Sequence, residues 1–473
     1  MHEPTPAPST RHINKTTLYF FGALGGILFG YDLGVISGVL LFIKKQWAMG
    51  SVAEGVVGGC LAAGAVIGAA FAGRLADRAG RRGAIRLAAV VFAVGTVGCA
   101  LAPNLATLVV FRFLIGIAVG GSSATVPMYL TELAPSRLRG ALGSLNQLMI
   151  VLGIVVAYVV GWAFSGSGNW RAMLAIALVP ALALLIGMSF LPETPRWLLA
   201  RGRDEEAKAV LRAAQGADVD ADAAISEIRD IIRLDSERKG TLRDLKAKWV
   251  RPALVVALVL AMGQQFSGVN AINVYAPTMF TNLGFSQSTS LIQSILLGIV
   301  KFAFTAWVIF VVDRWGRKPL LLIGNILMAV TLTLVGAVVV LVHSQTTAGI
   351  SAVVLLMIYL AGYELGWGAI VWLMMAEVFP LRVRGVGMGT SSVALWASTF
   401  AITFIFPVMN DNLGLAWSSW IFAVVNVVLF LLVWKLVPET KNRSLEQIEL
   451  DLRARSRLRT TPAGAEPVEA RRG

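Results

Sequence analysis

Apolar residues dominate this chain in long, nearly unbroken stretches that alternate with short polar segments. A helix needs about 20 mainly apolar residues to cross the hydrocarbon core of a bilayer, and twelve stretches reach that length. The predicted transmembrane helices cover residues 18–43, 53–75, 85–104, 107–131, 141–163, 171–191, 252–280, 289–311, 319–343, 349–376, 386–409 and 416–437. The pattern therefore predicts an all-α membrane protein.

A charged, helix-prone segment separates the sixth apolar stretch from the seventh and has no run long enough to span a bilayer. The expected parts are a cytoplasmic leader at 1–17, a six-helix bundle at 18–191, a cytoplasmic helical linker at 192–251, a second six-helix bundle at 252–437 and a cytoplasmic tail at 438–473. The first stretch is not a cleaved signal peptide, because it is too long and ends in Lys44 and Lys45 instead of small residues.

Composition excludes several classes of protein. Hydrophobic residues make up 56% of the chain and charged residues 14%, whereas soluble domains carry about 25% charged residues. The two cysteines, Cys60 and Cys99, both lie in apolar stretches, which excludes a disulfide scaffold. The three histidines are not close to a nucleophile or to a metal cluster in the sequence. We therefore expect no enzyme activity, cofactor or metal.

The net charge of +14 has a topological explanation. Of the 41 lysines and arginines, 36 fall in the leader, the linker, the tail and the loops on that same side of the predicted helices. This excess follows the positive-inside rule and predicts that both termini are cytoplasmic. The basic charge therefore does not require a nucleic-acid partner.

Three motif pairs indicate an internal duplication. Asp77-Arg-Ala-Gly-Arg-Arg82 recurs as Asp313-Arg-Trp-Gly-Arg-Lys318, 236 residues later. Glu132 to Gly140 recurs as Glu377 to Gly385 at an offset of 245, and Pro192-Glu-Thr-Pro195 recurs as Pro438-Glu-Thr-Lys441 at 246. Two parallel six-helix repeats around a central cavity are typical of secondary transporters.

The chain resembles the sugar porter family of the major facilitator superfamily over residues 18–452. The resemblance rests on Gly25-Gly-Ile-Leu-Phe-Gly-Tyr-Asp32, the motif pairs above, Pro192-Glu-Thr-Pro-Arg-Trp-Leu198 and Gln264-Gln-Phe-Ser-Gly-Val-Asn270. It implies a twelve-helix major facilitator fold that moves a sugar or polyol by alternating access. The expected partners are that sugar, protons and the lipid bilayer, and the protein is expected to act as a monomer in a bacterial inner membrane.

Asp32 and Arg112 are the predicted proton-coupling pair. A carboxylate within a membrane span is costly and therefore indicates function, and Arg112 lies at a similar depth in the fourth span. Ionised Asp32 pairs with Arg112, whereas protonated Asp32 releases it. In the family, proton symporters resemble this chain in carrying Asp at this site. A static ion pair between helices is the alternative.

Three amides in the seventh span, Gln264, Gln265 and Asn270, lie near the middle of the membrane. Gln264 and Asn270 share a face only if the helix is broken, and Gly268 permits that break. Amides both donate and accept hydrogen bonds, which suits vicinal hydroxyl groups, although helix packing is an alternative role. The resemblance implies that these amides bind sugar and adds further ligands. The added ligands are Gln147, Trp372 and Trp396.

Departures from the family pattern leave the substrate open. Leu395 stands where the family has an amide, and Lys301 stands where it usually has a sugar-binding Asn. An unpaired lysine at this depth is costly, and Glu364 lies at a similar depth. Lys301 and Glu364 are therefore both candidate substrate-site residues, and an ion pair between them is one interpretation. Recognition of an acidic sugar such as a uronate by Lys301 is the other.

A set of charged residues falls at the cytoplasmic ends of the predicted helices. The resemblance implies that they form salt bridges between and within the two halves, closing an inner gate. They are Asp77, Arg78, Arg81, Glu132, Arg139, Glu193, Arg196, Asp313, Arg317, Glu377, Arg384 and Glu439. Positive-inside topology alone accounts for the arginines but not for the acids.

The predicted function is import of a monosaccharide (pentose, hexose or polyol) by proton symport. A facilitative uniporter of the same fold remains an alternative, in which Asp32 is structural. A non-transporting sugar sensor is disfavoured by the short tail, and a drug exporter by the amide-rich seventh span.

Overall fold

The computed structural model of the protein describes residues 15–134, 139–215, 220–237, 240–368, 370–441 and 447. The helices of the first half are α1 (Lys15–Gln46), α2 (Ser51–Ala79), α3 (Arg81–Ala100), α4 (Leu105–Leu133), α5 (Arg139–Ala163), α6 (Trp170–Ala175) and α7 (Leu178–Phe190). The linker forms α8 (Pro195–Ala200), α9 (Asp204–Gln215) and α10 (Ala221–Glu237). Most of the predicted leader and tail lies outside the described residues.

The second half contains two interrupted spans. Its helices are α11 (Arg251–Phe266), α12 (Val269–Asn282), α13 (Gln287–Trp315), α14 (Arg317–Leu341), α15 (Gln345–Tyr363), α16 (Ile370–Val378) and α17 (Arg384–Leu436). Helices α11 and α12 together form the seventh span. Helices α15 and α16 form the tenth, with a π-helical turn at Glu364–Gly368 between them.

The twelve predicted spans are present in the described chain. Eleven helical segments there are long and apolar enough to cross a membrane, and the last of them, α17, has 53 residues. About 20 residues suffice for one crossing, and the backbone of α17 leaves helical geometry at Gly414, where φ is 77°. The predicted spans 386–409 and 416–437 lie on either side of Gly414, so the twelve-helix fold is confirmed.

Helices that begin on the two faces of the molecule are capped in different ways. We call the face that carries the linker the linker side, where Trp197 of α8 donates to the carbonyl of Asp77, and the opposite face the far side. On the far side, Asn104, Ser286 and Ser344 each accept a hydrogen bond from the backbone amide three residues later. These side chains satisfy amides that the first helical turn leaves unpaired.

On the linker side, the duplicated motifs act as long-range helix caps. Glu193 accepts hydrogen bonds from the backbone amides of Arg81 and Arg82 at the start of α3. In the second half, Glu439 accepts from the amides at the start of α14 in the same way. Gly80 precedes α3 with φ at 84°, and a Cβ there would lie 2.1 Å from the Glu193 carboxylate. The negative carboxylates also interact favourably with the positive ends of the helix dipoles. Glu193 therefore fixes the start of α3, and Glu439 fixes the start of α14.

Candidate transport site

The seventh span is broken at its centre, as the sequence predicted. Gly268 has φ of 101°, a left-handed conformation that favours glycine, and it separates α11 from α12. The break leaves the carbonyl of Ser267 without a helical partner. Tyr359 of α15 donates to it at 3.0 Å and Asn426 of α17 at 3.1 Å. Neighbouring helices therefore satisfy the unwound backbone and make the break a stable feature.

Four buried amides form one directional chain of hydrogen bonds around the break. Asn273 donates to Asn270, Asn270 donates to Gln265, and Gln265 donates to Gln264 at 3.0 Å. Gln264 completes the chain by donating to the carbonyl of Trp367 at 2.7 Å. The three amides predicted from the sequence are thus brought together, and Asn273 joins them. Each of the four amides is hydrogen-bonded to at least one other.

The remaining predicted sugar ligands occupy different environments. Trp396 is buried, and its ring lies 5.3 Å from that of Phe29 in α1, edge to face. Its indole nitrogen has no hydrogen-bond partner among the described residues, so it is an available donor. Gln147 on α5 and Trp372 on α16 are only half-buried. None of these three residues belongs to the amide chain.

Lys301 and Glu364 form the buried ion pair that their depths suggested. The Nζ atom of Lys301 lies 3.5 Å from a carboxylate oxygen of Glu364, and both side chains are almost fully buried. Glu364 is the first residue of the π-helical turn that also contains Trp367, the end of the amide chain. Lys301 shares a narrow crevice with Asn273 at the other end of that chain and with Tyr158 of α5. The pair therefore lies directly beside the amides.

Asp32 and Arg112 also meet inside the first half. Arg112 Nη1 lies 3.6 Å from an Asp32 carboxylate oxygen, and both side chains are buried. Arg112 Nε donates to the carbonyl of Val57 at 3.2 Å, which ties α4 to α2. The second Asp32 oxygen has no hydrogen-bond partner among the described residues. The Asp32 carboxylate thus combines a long ionic contact to Arg112 with one oxygen that has no partner in the described part of the chain.

The two halves touch closely on the far side. A Cβ on Gly55 of α2 would lie 2.3 Å from the carbonyl oxygen of Phe404 in α17. A Cβ on Gly58, one helical turn later, would lie 2.0 Å from the hydroxyl of Tyr275 in α12. Only glycine permits this approach, so the far-side ends of α2, α12 and α17 leave no passage here.

Two tyrosine hydroxyls on the far side donate to carbonyl oxygens that prolines leave without a helical donor, one across the two halves and one within the second half. Pro277 has no amide hydrogen, so the carbonyl of Asn273, four residues earlier, cannot accept its helical bond. Tyr158, from the other half, donates to that carbonyl at 2.9 Å. Pro407 frees the carbonyl of Thr403 in the same way, and Tyr275 donates to it at 2.7 Å.

On the linker side, the ion pairs described among the predicted gate residues join groups of the same half. Arg81 contacts Glu132 at 3.2 Å and Asp77 at 3.3 Å. Arg317 makes the corresponding contacts, with Asp313 at 3.0 Å and with Glu377 at 3.6 Å. Duplicated motifs thus build duplicated clusters.

The other predicted gate residues contribute differently. Glu193 and Glu439 cap helices, Arg384 donates to the carbonyl of Phe379, and the backbone carbonyl of Arg78 accepts from Arg201. Arg196 has an interaction of its own, and the side chain of Arg139 lies outside the described part.

The linker also contacts the second half. Asp244 lies 3.8 Å from Arg382, and Gly240 donates to the Arg382 carbonyl. Hydrogen bonds from Thr241, with a smaller contribution from Arg382, hold the pKa of Asp244 below its usual value. These contacts fasten the end of the linker to the start of α17.

Sequence reasoning missed the residues that hold the site in shape. Tyr158, Asn426 and Trp367 act through backbone carbonyls, and no motif marks them. One signal was available, since a proline within a span identifies the carbonyl four residues earlier as one that needs another donor. That rule points to Asn273 and Thr403, but the donor comes from tertiary packing.

Comparisons with known proteins give one consistent result. A family model described as "Sugar (and other) transporter" matches residues 18–452. The glucose transporter GlcP of Staphylococcus epidermidis is 41% identical over 447 residues, which cover 94% of this chain and 99% of that protein.

Solved structures of XylE share the fold. A partially occluded inward-open structure of the xylose transporter XylE from E. coli has a TM-score of 0.80 and 31% identity, covering 91% of this chain and 99% of XylE. A second structure, described as the proton:xylose symporter XylE bound to 6-bromo-6-deoxy-D-glucose, has a TM-score of 0.78 and 32% identity, covering 93% and 99%.

Proposed function

Because this chain belongs to the sugar transporter family of the major facilitator superfamily, we propose that it imports a monosaccharide or polyol together with protons. It is a multi-pass membrane sugar transporter and not an enzyme. The finer proposal concerns the coupling ion, the direction and the residues that bind. The observation that carries it is the chain of four buried amides at the break in the seventh span.

The amide chain supports sugar binding because its bonds are exchangeable. Each amide carries two donors and an accepting oxygen, and vicinal hydroxyls present donors and acceptors at similar spacing. A pentose, hexose or cyclic polyol entering here replaces amide–amide bonds with amide–hydroxyl bonds of similar strength. The free indole nitrogen of Trp396 supplies a further donor, and its ring offers an apolar face to the C–H groups of a sugar. Gln147 and Trp372 complete the proposed ligand set.

Proton coupling is proposed at Asp32. An ionised carboxylate holds the Arg112 guanidinium, whereas a protonated one releases it to make other contacts between α1, α2 and α4. The change alters helix packing in the first half, and the bound proton leaves the Arg112 guanidinium as a positive charge without its carboxylate partner. XylE is described as a proton:xylose symporter, which supports proton coupling, though not a particular residue, for this chain.

We infer alternating access, and the difference between the two faces of the molecule supports it. We assign the linker side to the cytoplasm, with both termini there, on the excess of basic residues. The far side is closed by Gly55, Gly58 and the tyrosine bonds, while the described gate pairs stay within each half. This arrangement corresponds to an inward-facing state.

The decisive experiment is uptake into proteoliposomes with and without an imposed inward proton gradient. The substrates are labelled xylose, glucose, arabinose, galactose and myo-inositol, each measured for the wild type, Asp32→Asn and the matched control Asp222→Asn. Asp222 is an exposed linker residue paired with Lys208. We expect gradient-driven accumulation that disappears only in Asp32→Asn, with downhill exchange retained.

Two results would count against the proposal. Downhill flux that ignores both the gradient and the substitution identifies a uniporter, with Asp32 as a structural partner of Arg112. Absence of flux for every sugar, with a correctly folded wild-type protein, removes the proposed substrate class.

A further inference from the structure

The ion pair of Lys301 and Glu364 has no part in the proposed sugar binding or proton coupling. It places one positive and one negative charge almost fully out of solvent, so the net charge of this region is zero. Burying two charges is costly and stabilises a fold only when both are well matched. A buried pair at this position therefore calls for an explanation in terms of the site beside it.

The Lys301 ammonium is the member of the pair that reaches the substrate region. It lines the crevice with Asn273, the first amide of the chain, and with Tyr158 from the other half. Its Nζ also lies 5.5 Å from the ring centroid of Tyr363. A sugar that displaces the bond between Asn273 and Asn270 brings its oxygens close to this ammonium.

The ionic contact between Lys301 and Glu364 is long. The Lys301–Glu364 separation of 3.5 Å exceeds the length of about 2.8 Å of a direct charge-assisted hydrogen bond. The Glu364 carboxylate packs against the π-helical backbone, where a Cβ on Gly368 would lie 1.9 Å from one of its oxygens. Neither carboxylate oxygen has a hydrogen-bond partner among the described residues. Lys301 is thus the nearby cation for this carboxylate, and the ammonium retains donors for other partners.

We propose that Glu364 sets the charge class of the substrate: by neutralising Lys301, it makes the site accept neutral sugars and polyols and reject sugar acids. A hexuronate bound beside the intact pair adds a second anion to a region with one cation, so one buried negative charge lacks a partner. Without the Glu364 charge, the ammonium lacks a counterion, and a substrate carboxylate takes that place. This inference rests on the proposed sugar site.

The test compares glucose and glucuronate binding to purified wild type, Glu364→Gln and the double variant Lys301→Gln/Glu364→Gln, at neutral pH. Binding is followed by tryptophan fluorescence or by calorimetry. Glu364→Gln is expected to bind glucuronate about a hundred-fold more tightly than the wild type does, because it exchanges an unpaired buried charge for a paired one. The double variant, which has neither charge, loses that gain. Glucose binding to the double variant serves as evidence of a folded site.

A wild-type measurement keeps the idea testable if Glu364→Gln does not fold. Methyl glucuronate has nearly the shape of glucuronate but no charge, so it should bind wild-type protein while glucuronate does not. Equal binding of glucose and glucuronate by the wild type overturns the inference, as does rejection of the ester, since size would then be the cause. A folded Glu364→Gln variant without gain also overturns it. If the wild type binds no neutral sugar at all, the proposed function itself fails.

Discussion

The hydrogen bond between Tyr158 and Asn273 allows a quantitative test of how the far side is closed. Tyr158→Phe removes the hydroxyl that donates at 2.9 Å across the two halves. Because Pro277 supplies no amide hydrogen, the Asn273 carbonyl then stays buried without the Tyr158 hydroxyl and without a helical donor. An unsatisfied buried acceptor costs about 1–3 kcal/mol. The cost falls only on the closed state, so the equilibrium moves toward far-side opening by about 5- to 150-fold.

The assay follows a cysteine placed at Met279, which is buried on the far side. A membrane-impermeant maleimide applied from that side labels it only when the far side opens, and the native Cys60 and Cys99 are both buried. The labelling rate is expected to rise in Tyr158→Phe. Tyr129→Phe is the matched control, because Tyr129 donates to the carbonyl of Pro192 at the start of the linker and not across the two halves.

The strongest check adds Pro277→Ala to Tyr158→Phe. Alanine restores the amide hydrogen at position 277, which bonds to the Asn273 carbonyl within the helix, so the hydroxyl is no longer required. Labelling in the double variant should return toward the wild-type rate. The reasoning is refuted if Tyr158→Phe labels no faster than Tyr129→Phe, or if Pro277→Ala leaves the faster labelling unchanged.

Three further substitutions probe separate parts of the structure. Gly55→Trp cannot fit against the Phe404 carbonyl, so it should hold the far side open, abolishing net uptake while sugar binding from that side persists. Glu193→Gln weakens the cap of α3 and should destabilise the protein by about 1 kcal/mol, measured as a lower Tm; an unchanged Tm contradicts the capping role. Gln265→Leu interrupts the amide chain and should raise the sugar KM about tenfold or more, whereas an unaltered KM would remove Gln265 from the site.

Much of this architecture could be predicted from local pattern, because bilayer thickness imposes a fixed length on each apolar stretch. The break at Gly268 could be predicted for a similar reason, since Gln264 and Asn270 converge only if the helix is interrupted. Residue depth along two helices was enough to suggest the Lys301–Glu364 pair. Each of these inferences needed only geometry internal to one or two spans.

Other features depend on packing that no single span encodes. The π-helical turn at Glu364–Gly368 and the interruption between α6 and α7 have no counterpart in the hydrophobic pattern of their spans. The gate residues show the same limit. Their motifs predicted charge pairing, but the structure assigns two of the acids, Glu193 and Glu439, to helix starts. The motif identifies the acidic residue, but it does not identify the distant backbone amide that donates to it.

The chain of amide hydrogen bonds has a consequence for turnover at the proposed sugar site. Each amide of the chain donates one hydrogen bond, so exchanging that bond for one to a sugar hydroxyl gains little enthalpy. We therefore expect a sugar bound at the proposed site to be held weakly, although it touches many polar groups. For a carrier this is an advantage, because a deep energy minimum at the midpoint of the cycle would slow every later step. The chain from Asn273 to Trp367 thus favours speed over affinity.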